Sequence, residues 1–118
     1  MYGHLEGASK QAAVLEMGEE AVQQFRTGLY ARPPAMTPEH EHWHASEAKY
    51  EDLDPSEVPL TESLLDTMER TRPLLETRIL PDLRLGKTVM VVAHANSIRG
   101  ICKYLDNLSE NEVLNRNA

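Results

Sequence analysis

The sequence predicts an α/β fold, mostly helical, with one central strand. The run TVMVVA, residues 88–93, is apolar on both faces, which is typical of a central strand in a parallel sheet covered by helices. Segments before and after this run place apolar residues at helical spacing. A strand buried on both faces needs neighbours, because its backbone N–H and C=O groups otherwise lack partners. The sequence offers no second convincing strand, so we expect the missing strands to lie outside this chain or to come from another copy of it.

Composition bounds the kind of protein. The chain has 118 residues, of which 41% are hydrophobic and 26% are charged, which fits one globular domain over residues 1–118. Its formal charge of −7 argues against sequence-independent binding to nucleic acid or to an anionic membrane. No apolar run approaches the roughly 20 residues that span a bilayer, and the lone Cys102 allows no intramolecular disulfide. We therefore expect a soluble, cytoplasmic protein.

The first half of the chain predicts two short helices and then a long loop. Residues 8–26 indicate helices that are broken near Gly18, with Ser9 as the N-cap. Residues 31–60 are rich in proline and polar side chains, which predicts a long, ordered, lid-like loop. Alternate positions of this loop carry the histidines His40, His42 and His44. Only a strand would align them as a row of metal ligands, so we predict no metal site.

The second half predicts helices on both sides of the strand. A helix begins with Thr61 or Ser63 as its cap, Pro73 should kink or divide it, and Pro81 should end it. After the strand we expect a helix from about residue 97 to residue 105. The stretch SENE, residues 109–112, then has the spacing of a capping box that opens a last short helix.

A candidate phosphate site follows the predicted strand. His94 lies at the carboxyl end of that strand, where ligands bind in open α/β sheets. Asn96 and Ser97 then offer side-chain donors and the first N–H groups of the next helix, where a phosphate is favoured. A histidine in this place binds a phosphoryl oxygen as imidazolium or transfers a proton near neutral pH. Spacing alone leaves a second interpretation open, in which Asn96 or Ser97 only caps the helix and His94 is a satisfied interior residue.

Three segments of the chain together match the pattern of a known enzyme family. The segment VVAHANSIRGICKYL is similar to a strand followed by A-H-G-N-S-[LI]-R and K-x-L, YGHLEGASK to Y-G-x-L-x-G-x-x-K, and FRTGLYARPPAM to W-R-R…P-P-P-M. These patterns are those of the cofactor-dependent phosphoglycerate mutases, which the chain resembles over nearly all of its length. The resemblance implies a three-layer α/β/α sandwich. It also implies the glycolytic interconversion of 3-phosphoglycerate and 2-phosphoglycerate through a phosphohistidine that 2,3-bisphosphoglycerate primes.

The resemblance implies roles for particular residues. His94 would be the second active-site histidine, which holds the transferring phosphoryl group and stabilises its charge. Asn96 would donate a hydrogen bond to the phosphate. Tyr2 and Lys10 would contact the substrate, and Arg26 would clamp it with its planar fork of donors. Without the family, Lys10 and Arg26 are more simply explained as solvated helix residues, and Tyr2 as part of a frayed terminus.

The chain also departs from the family's pattern. The L-x-R-H-G-x-[ST] motif, whose histidine is the phosphorylated nucleophile, is absent from the sequence, and the acid/base glutamate would fall before Met1. Thr27 replaces the second arginine of the family's pair. Ala95 replaces the glycine after the active-site histidine, where the backbone must approach phosphate closely. We therefore expect a family member that is cut at both ends and has little or no mutase activity by itself.

Other readings stay open. One is a non-catalytic phosphate-binding or interaction module derived from the mutase, which Thr27 and Ala95 favour. Another is a broad-specificity histidine phosphatase, which the long segment between the first helices and the strand disfavours. Under each of these interpretations, including the mutase itself, the unpaired edge of the predicted strand favours self-association into a homo-oligomer.

Overall fold

The chain is helical in most of the part that the structure describes. The computed structural model describes residues 2–43 and 47–115. Its α-helices are α1 Lys10–Met17, α2 Glu19–Thr27, α3 Leu64–Leu74, α4 Leu80–Arg84, α5 Ala95–Asp106 and α6 Glu110–Asn115. Shorter turns of helix are the 3-10 helices Gly3–Leu5, Ala48–Tyr50 and Pro55–Glu57 and the π-helical turn Leu75–Ile79. The chain divides into two compact units, Met1–Ser63 and Leu64–Ala118. That these units form one domain stays a prediction.

The predicted α/β fold, and with it the α/β/α sandwich, is wrong for this chain. Residues 2–43 and 47–115 contain no strand. Residues 88–93 form neither helix nor strand and pair with no other described segment, and Met90 and Val92 are 84% and 81% exposed. The physical reason is that a strand exists only as a pairing of segments, and this run has no neighbour to bond its N–H and C=O groups. Residues 88–93 have the apolar composition of a buried strand, but composition does not supply a second segment for the strand to pair with.

Local capping sets the helices of the unit Met1–Ser63. Ser9 is the N-cap of α1, and its hydroxyl oxygen accepts the N–H of Ala12 at 3.1 Å. Gly18 separates α1 from α2 with φ at +86°, a backbone region that glycine adopts without strain. The predicted cap and the predicted break are both confirmed.

The proline-rich segment after α2 is anchored by buried side chains and by bonds to the chain that follows it. Met36 and Val58 are buried. The N–H of Met36 donates to the carbonyl of Leu60 at 3.0 Å, and the Thr61 hydroxyl donates to the carbonyl of Pro33 at 2.6 Å. The segment is therefore held at these points, and in its described part the 3-10 helices Ala48–Tyr50 and Pro55–Glu57 are the regular structure. Its role as a lid stays a prediction.

Prolines shape the start of the unit Leu64–Ala118. Pro73 lies in the last turn of α3, and the π-helical turn follows it, which agrees with the predicted disturbance at a residue that lacks an N–H. The predicted helix end at Pro81 is wrong, because α4 continues to Arg84. Pro81 lies in the first turn of α4, where the N–H has no helical partner and proline is therefore tolerated.

Helix α5 packs against α3 at a glycine. A Cβ added at Gly100 would lie 2.7 Å from Cγ of Met68, so the missing side chain allows the two helices to approach closely. After α5 the predicted capping box is confirmed. The N–H of Ser109 donates to the Glu112 carboxylate at 2.8 Å, and the N–H of Glu112 donates to the Ser109 hydroxyl oxygen at 3.3 Å.

Candidate phosphate-binding site

His94 and Asn96 lie together at the start of α5. His94 is the N-cap of this helix of 12 residues, and its Nδ1 accepts the N–H of Asn96 at 3.3 Å. A ring nitrogen that accepts a hydrogen bond is unprotonated, so the neutral ring carries its proton on Nε2. His94 is exposed and Asn96 is half-buried. His94 therefore caps α5 itself, beside the positive end of the helix dipole. The second interpretation, in which His94 is interior and Asn96 or Ser97 is the cap, is wrong.

Arg99 belongs to this cluster, although the sequence reasoning gave it no role. Its Nη1 donates to Oδ1 of Asn96 at 3.1 Å. Residues three apart lie on one face of a helix, so the spacing of Asn96 and Arg99 after the helix start was a signal that could have found the pair. Because Arg99 occupies the amide oxygen, the side chain of Asn96 is oriented with its NH₂ group as the donor.

Tyr2 and Lys10 lie on either side of the 3-10 helix Gly3–Leu5. Tyr2 is half-buried, and its backbone N–H donates to the Glu6 carboxylate at 3.3 Å. Gly3 has φ at +57°, and a Cβ added there would lie 2.1 Å from the carbonyl oxygen of Pro34. This close approach fixes the backbone next to Tyr2. Lys10 is the first residue of α1 and is exposed.

Arg26 lies in the last turn of α2 and is exposed. Thr27 follows it, at the position where the pattern that the sequence resembles has a second arginine. The Thr27 hydroxyl donates to the carbonyl of Gln23 at 2.8 Å, within its own helix. Thr27 therefore supplies no charge for an anion, and its hydroxyl proton is already used.

The predicted site residues are divided between the two units. The unit Leu64–Ala118 holds His94 and Asn96, which a hydrogen bond joins directly. The unit Met1–Ser63 holds Tyr2, Lys10 and Arg26. The roles of these three as substrate contacts stay predictions.

A histidine cluster, formed by His4, His40 and His42, was also missed. The ring centroids of His4 and His40 are 5.3 Å apart, and those of His40 and His42 are 5.9 Å apart. The sequence shows only the alternation of His40 and His42, because the fold brings His4 to them from 36 residues away. His44 lies outside the described residues. Within the described ranges, no three or more His, Cys, Asp or Glu side chains converge to hold a metal ion.

An ion pair and a tyrosine join α3, the π-helical turn and α5. Oε1 of Glu76 accepts the Tyr104 hydroxyl at 2.5 Å and Nε of Arg72 at 2.8 Å. The hydrogen bond from Tyr104, followed by that from Arg72, lowers the pKa of Glu76 below its ordinary value. The bond to Glu76 in turn raises the pKa of Tyr104.

Comparison with known protein families found no family model that matches this chain. In the two ranges that the structure describes, none of the helices combines the length and the apolar character needed to cross a membrane.

Proposed function

We propose that this chain binds the phosphate group of a phosphoglycerate, as a relative of the cofactor-dependent phosphoglycerate mutases. His94 and Asn96 are the proposed phosphate-binding residues. The observation that supports this is the arrangement at the start of α5, where an Nε2–H donor and an amide oriented by Arg99 meet the positive end of a helix. Phosphate oxygens accept such donors, and the helix dipole favours their negative charge.

Tyr2, Lys10 and Arg26 are the proposed substrate contacts. Lys10 is exposed and supplies a point charge for a carboxylate or a phosphate, whereas Arg26 supplies a planar fork of donors. These donor and cationic side chains suit an anionic substrate. They equally suit 2,3-bisphosphoglycerate, the cofactor that the resemblance implies and that supplies a phosphoryl group when bound.

The proposed part of this chain in the reaction is to hold the phosphoryl group and to stabilise its charge. His94 donates from Nε2, and Asn96 donates from its amide. The sequence has no Arg-His pair and no other match to the motif of the phosphorylated nucleophile. Without a nucleophile, covalent phosphoryl transfer has no starting group. We therefore expect substrate binding without mutase turnover by this chain alone.

A non-catalytic phosphate-binding or interaction module is the second proposal. It is favoured by Thr27, whose hydroxyl is used inside α2 and which replaces a charged residue of the family's pattern. The two proposals share the phosphate contact at His94. They differ in the expected effect of a second polypeptide. The first proposal allows such a partner to restore mutase turnover, whereas the second does not.

Self-association is proposed as well, through residues 88–93. These residues have no regular structure, and their backbone has no hydrogen-bond partner in the described part of the chain. Met90 and Val92 are exposed. Antiparallel pairing with the same segment of a second copy would satisfy one edge and would oppose no charged residues.

The binding proposal is tested by calorimetric titration of the chain with 3-phosphoglycerate. His94→Ala and Asn96→Ala should each raise the Kd about tenfold or more, because a hydrogen bond to a charged group contributes about 1.5–3 kcal/mol. The matched control is Asn111→Ala, which removes an exposed amide from α6 and should leave the Kd unchanged. Glycerate, which has no phosphate, should bind far more weakly. Equal affinity of the chain and both variants would refute the assignment.

Turnover is tested in a coupled assay of 3-phosphoglycerate conversion, with and without 2,3-bisphosphoglycerate. We expect no turnover above the background of buffer. Turnover that requires His94 would contradict the expectation, since it would mean that this chain holds a nucleophile that its sequence does not reveal.

A further inference from the structure

The centre of the histidine cluster, His40, uses both of its ring nitrogens in the fold. Its Nε2 lies 2.9 Å from the carbonyl oxygen of His4, and its Nδ1 accepts the backbone N–H of His42 at 3.0 Å. A carbonyl oxygen can only accept, so Nε2 carries a proton, and a nitrogen that accepts carries none. The Nδ1 contact therefore requires the neutral ring, whereas the Nε2 contact persists in the protonated ring, because both nitrogens of an imidazolium donate.

This ring joins two parts of the chain. The turn at residues 37–43 is closed by the N–H of His40 donating to the carbonyl of Thr37 at 3.0 Å and by the N–H of Trp43 donating to the carbonyl of His40 at 2.9 Å. The Nε2 contact ties this turn to the 3-10 helix Gly3–Leu5. The His42 ring adds a second contact, because a Cβ added at Gly7 would lie 2.0 Å from its Nε2.

We propose that His40 is an acid-sensitive clamp within the turn 37–43, whose neutral ring holds the His42 N–H at Nδ1. Protonation releases that N–H and loosens the His42 ring from its contact with Gly7. A proton added to Nδ1 abolishes the acceptor for the His42 N–H and turns two donors toward each other. Imidazole is the side chain that gains its proton between pH 5 and pH 8 in ordinary surroundings. The device therefore operates under mildly acidic conditions.

The charged neighbours act on the clamp in two directions. The rings of His4 and His42 face His40, so a proton on either of them adds like charge and favours release. Glu16 of α1 lies 3.3 Å from Nε2 of His4 and offsets the charge on that ring. Glu39 and Glu41 of the turn are exposed, and a hydrogen bond from Thr37 lowers the pKa of Glu39.

Release would loosen the His42 ring from Gly7, which lies in the chain between Tyr2 and Lys10. The consequence for substrate binding rests on the proposed function, whereas the clamp itself does not. An experiment without ligand therefore separates the two.

Trp43 reports on the clamp, because it is the one tryptophan of the chain and its N–H bonds to the carbonyl of His40. Its fluorescence should change between pH 8 and pH 5. His40→Asn keeps an acceptor for the His42 N–H that does not titrate, so this transition should disappear. His40→Gln keeps a donor at the Nε2 position but no acceptor at Nδ1, so its emission at pH 8 should already resemble that of the acidic wild-type chain. His94→Gln, in the other unit, should leave the transition in place.

The same transition in His40→Asn, or its loss in His94→Gln, would overturn the proposal. A second measurement does not depend on the folding of any variant. Nitrogen NMR shifts of the His40 ring at pH 8 should show the Nε2–H tautomer, and exchange protection of the His42 amide should fall about fivefold or more, after correction for the intrinsic rate, on moving to pH 5. The Nδ1–H tautomer, or unchanged protection, would equally overturn it.

Discussion

Gly100→Ala tests the packing of α5 against α3 most sharply. The added Cβ would lie 2.7 Å from Cγ of Met68 and 3.8 Å from Cδ1 of Leu64. Carbon atoms prefer about 3.5–4.0 Å, so the contact with Met68 is short by about 1 Å. Overpacking of this kind costs about 1–3 kcal/mol, whereas alanine in place of glycine within a helix contributes about 1 kcal/mol of stabilisation. The net expectation is a loss of about 0–2 kcal/mol.

A double-mutant cycle separates these two effects. In a Met68→Ala background the clash is absent, so Gly100→Ala should there stabilise the unit by about 1 kcal/mol. Hydrogen exchange of the α5 amides measures both changes within the unit Leu64–Ala118. Equal stabilisation by Gly100→Ala with and without Met68 would refute the close approach of the two helices.

Three further predictions follow from the described contacts. Ser109→Ala should destabilise the start of α6 by about 1 kcal/mol, measured as faster exchange of its first amides, because the cap is lost. Tyr104→Phe should raise the pKa of Glu76 in an NMR titration, because it removes the largest cause of the lowering. Since that folded-state pKa is lowered, the stabilisation by Glu76 is present above about pH 4.3 and is lost as the pH falls through the lower folded value, so the variant should lose it at a higher pH than the wild-type chain. Val91→Lys should reduce self-association in sedimentation at rising concentration, whereas Leu15→Lys, an equally drastic change at an exposed residue of α1, should not.

Features that depend on neighbouring residues could be predicted from the sequence. The Ser9 cap, the break at Gly18 and the box of Ser109 and Glu112 each involve residues at most three or four apart, so the local sequence contains all the partners. His94 and Asn96 also belong here, because both lie within the first turn of one helix. Even so, the cap itself is His94, and side-chain preference alone does not predict a histidine there.

Features that depend on distant partners could not be predicted in this way. The run 88–93 has the composition of a buried strand, but pairing needs a second segment, and composition says nothing about whether one is present. The contact between the His40 ring and the His4 carbonyl joins residues far apart in the chain, so no local sequence pattern predicts it. Pro81 shows a different limit, because the same residue ends a helix or begins one, depending on where the preceding turn lies.

The most direct test of the central proposal is an NMR titration of the isotopically labelled chain with 3-phosphoglycerate. If the start of α5 binds phosphate, the amides of Ala95, Asn96 and Ser97 and the ring of His94 should shift together and saturate, and glycerate should leave them in place. An unchanged set of these signals at saturating 3-phosphoglycerate would contradict the assignment of this site.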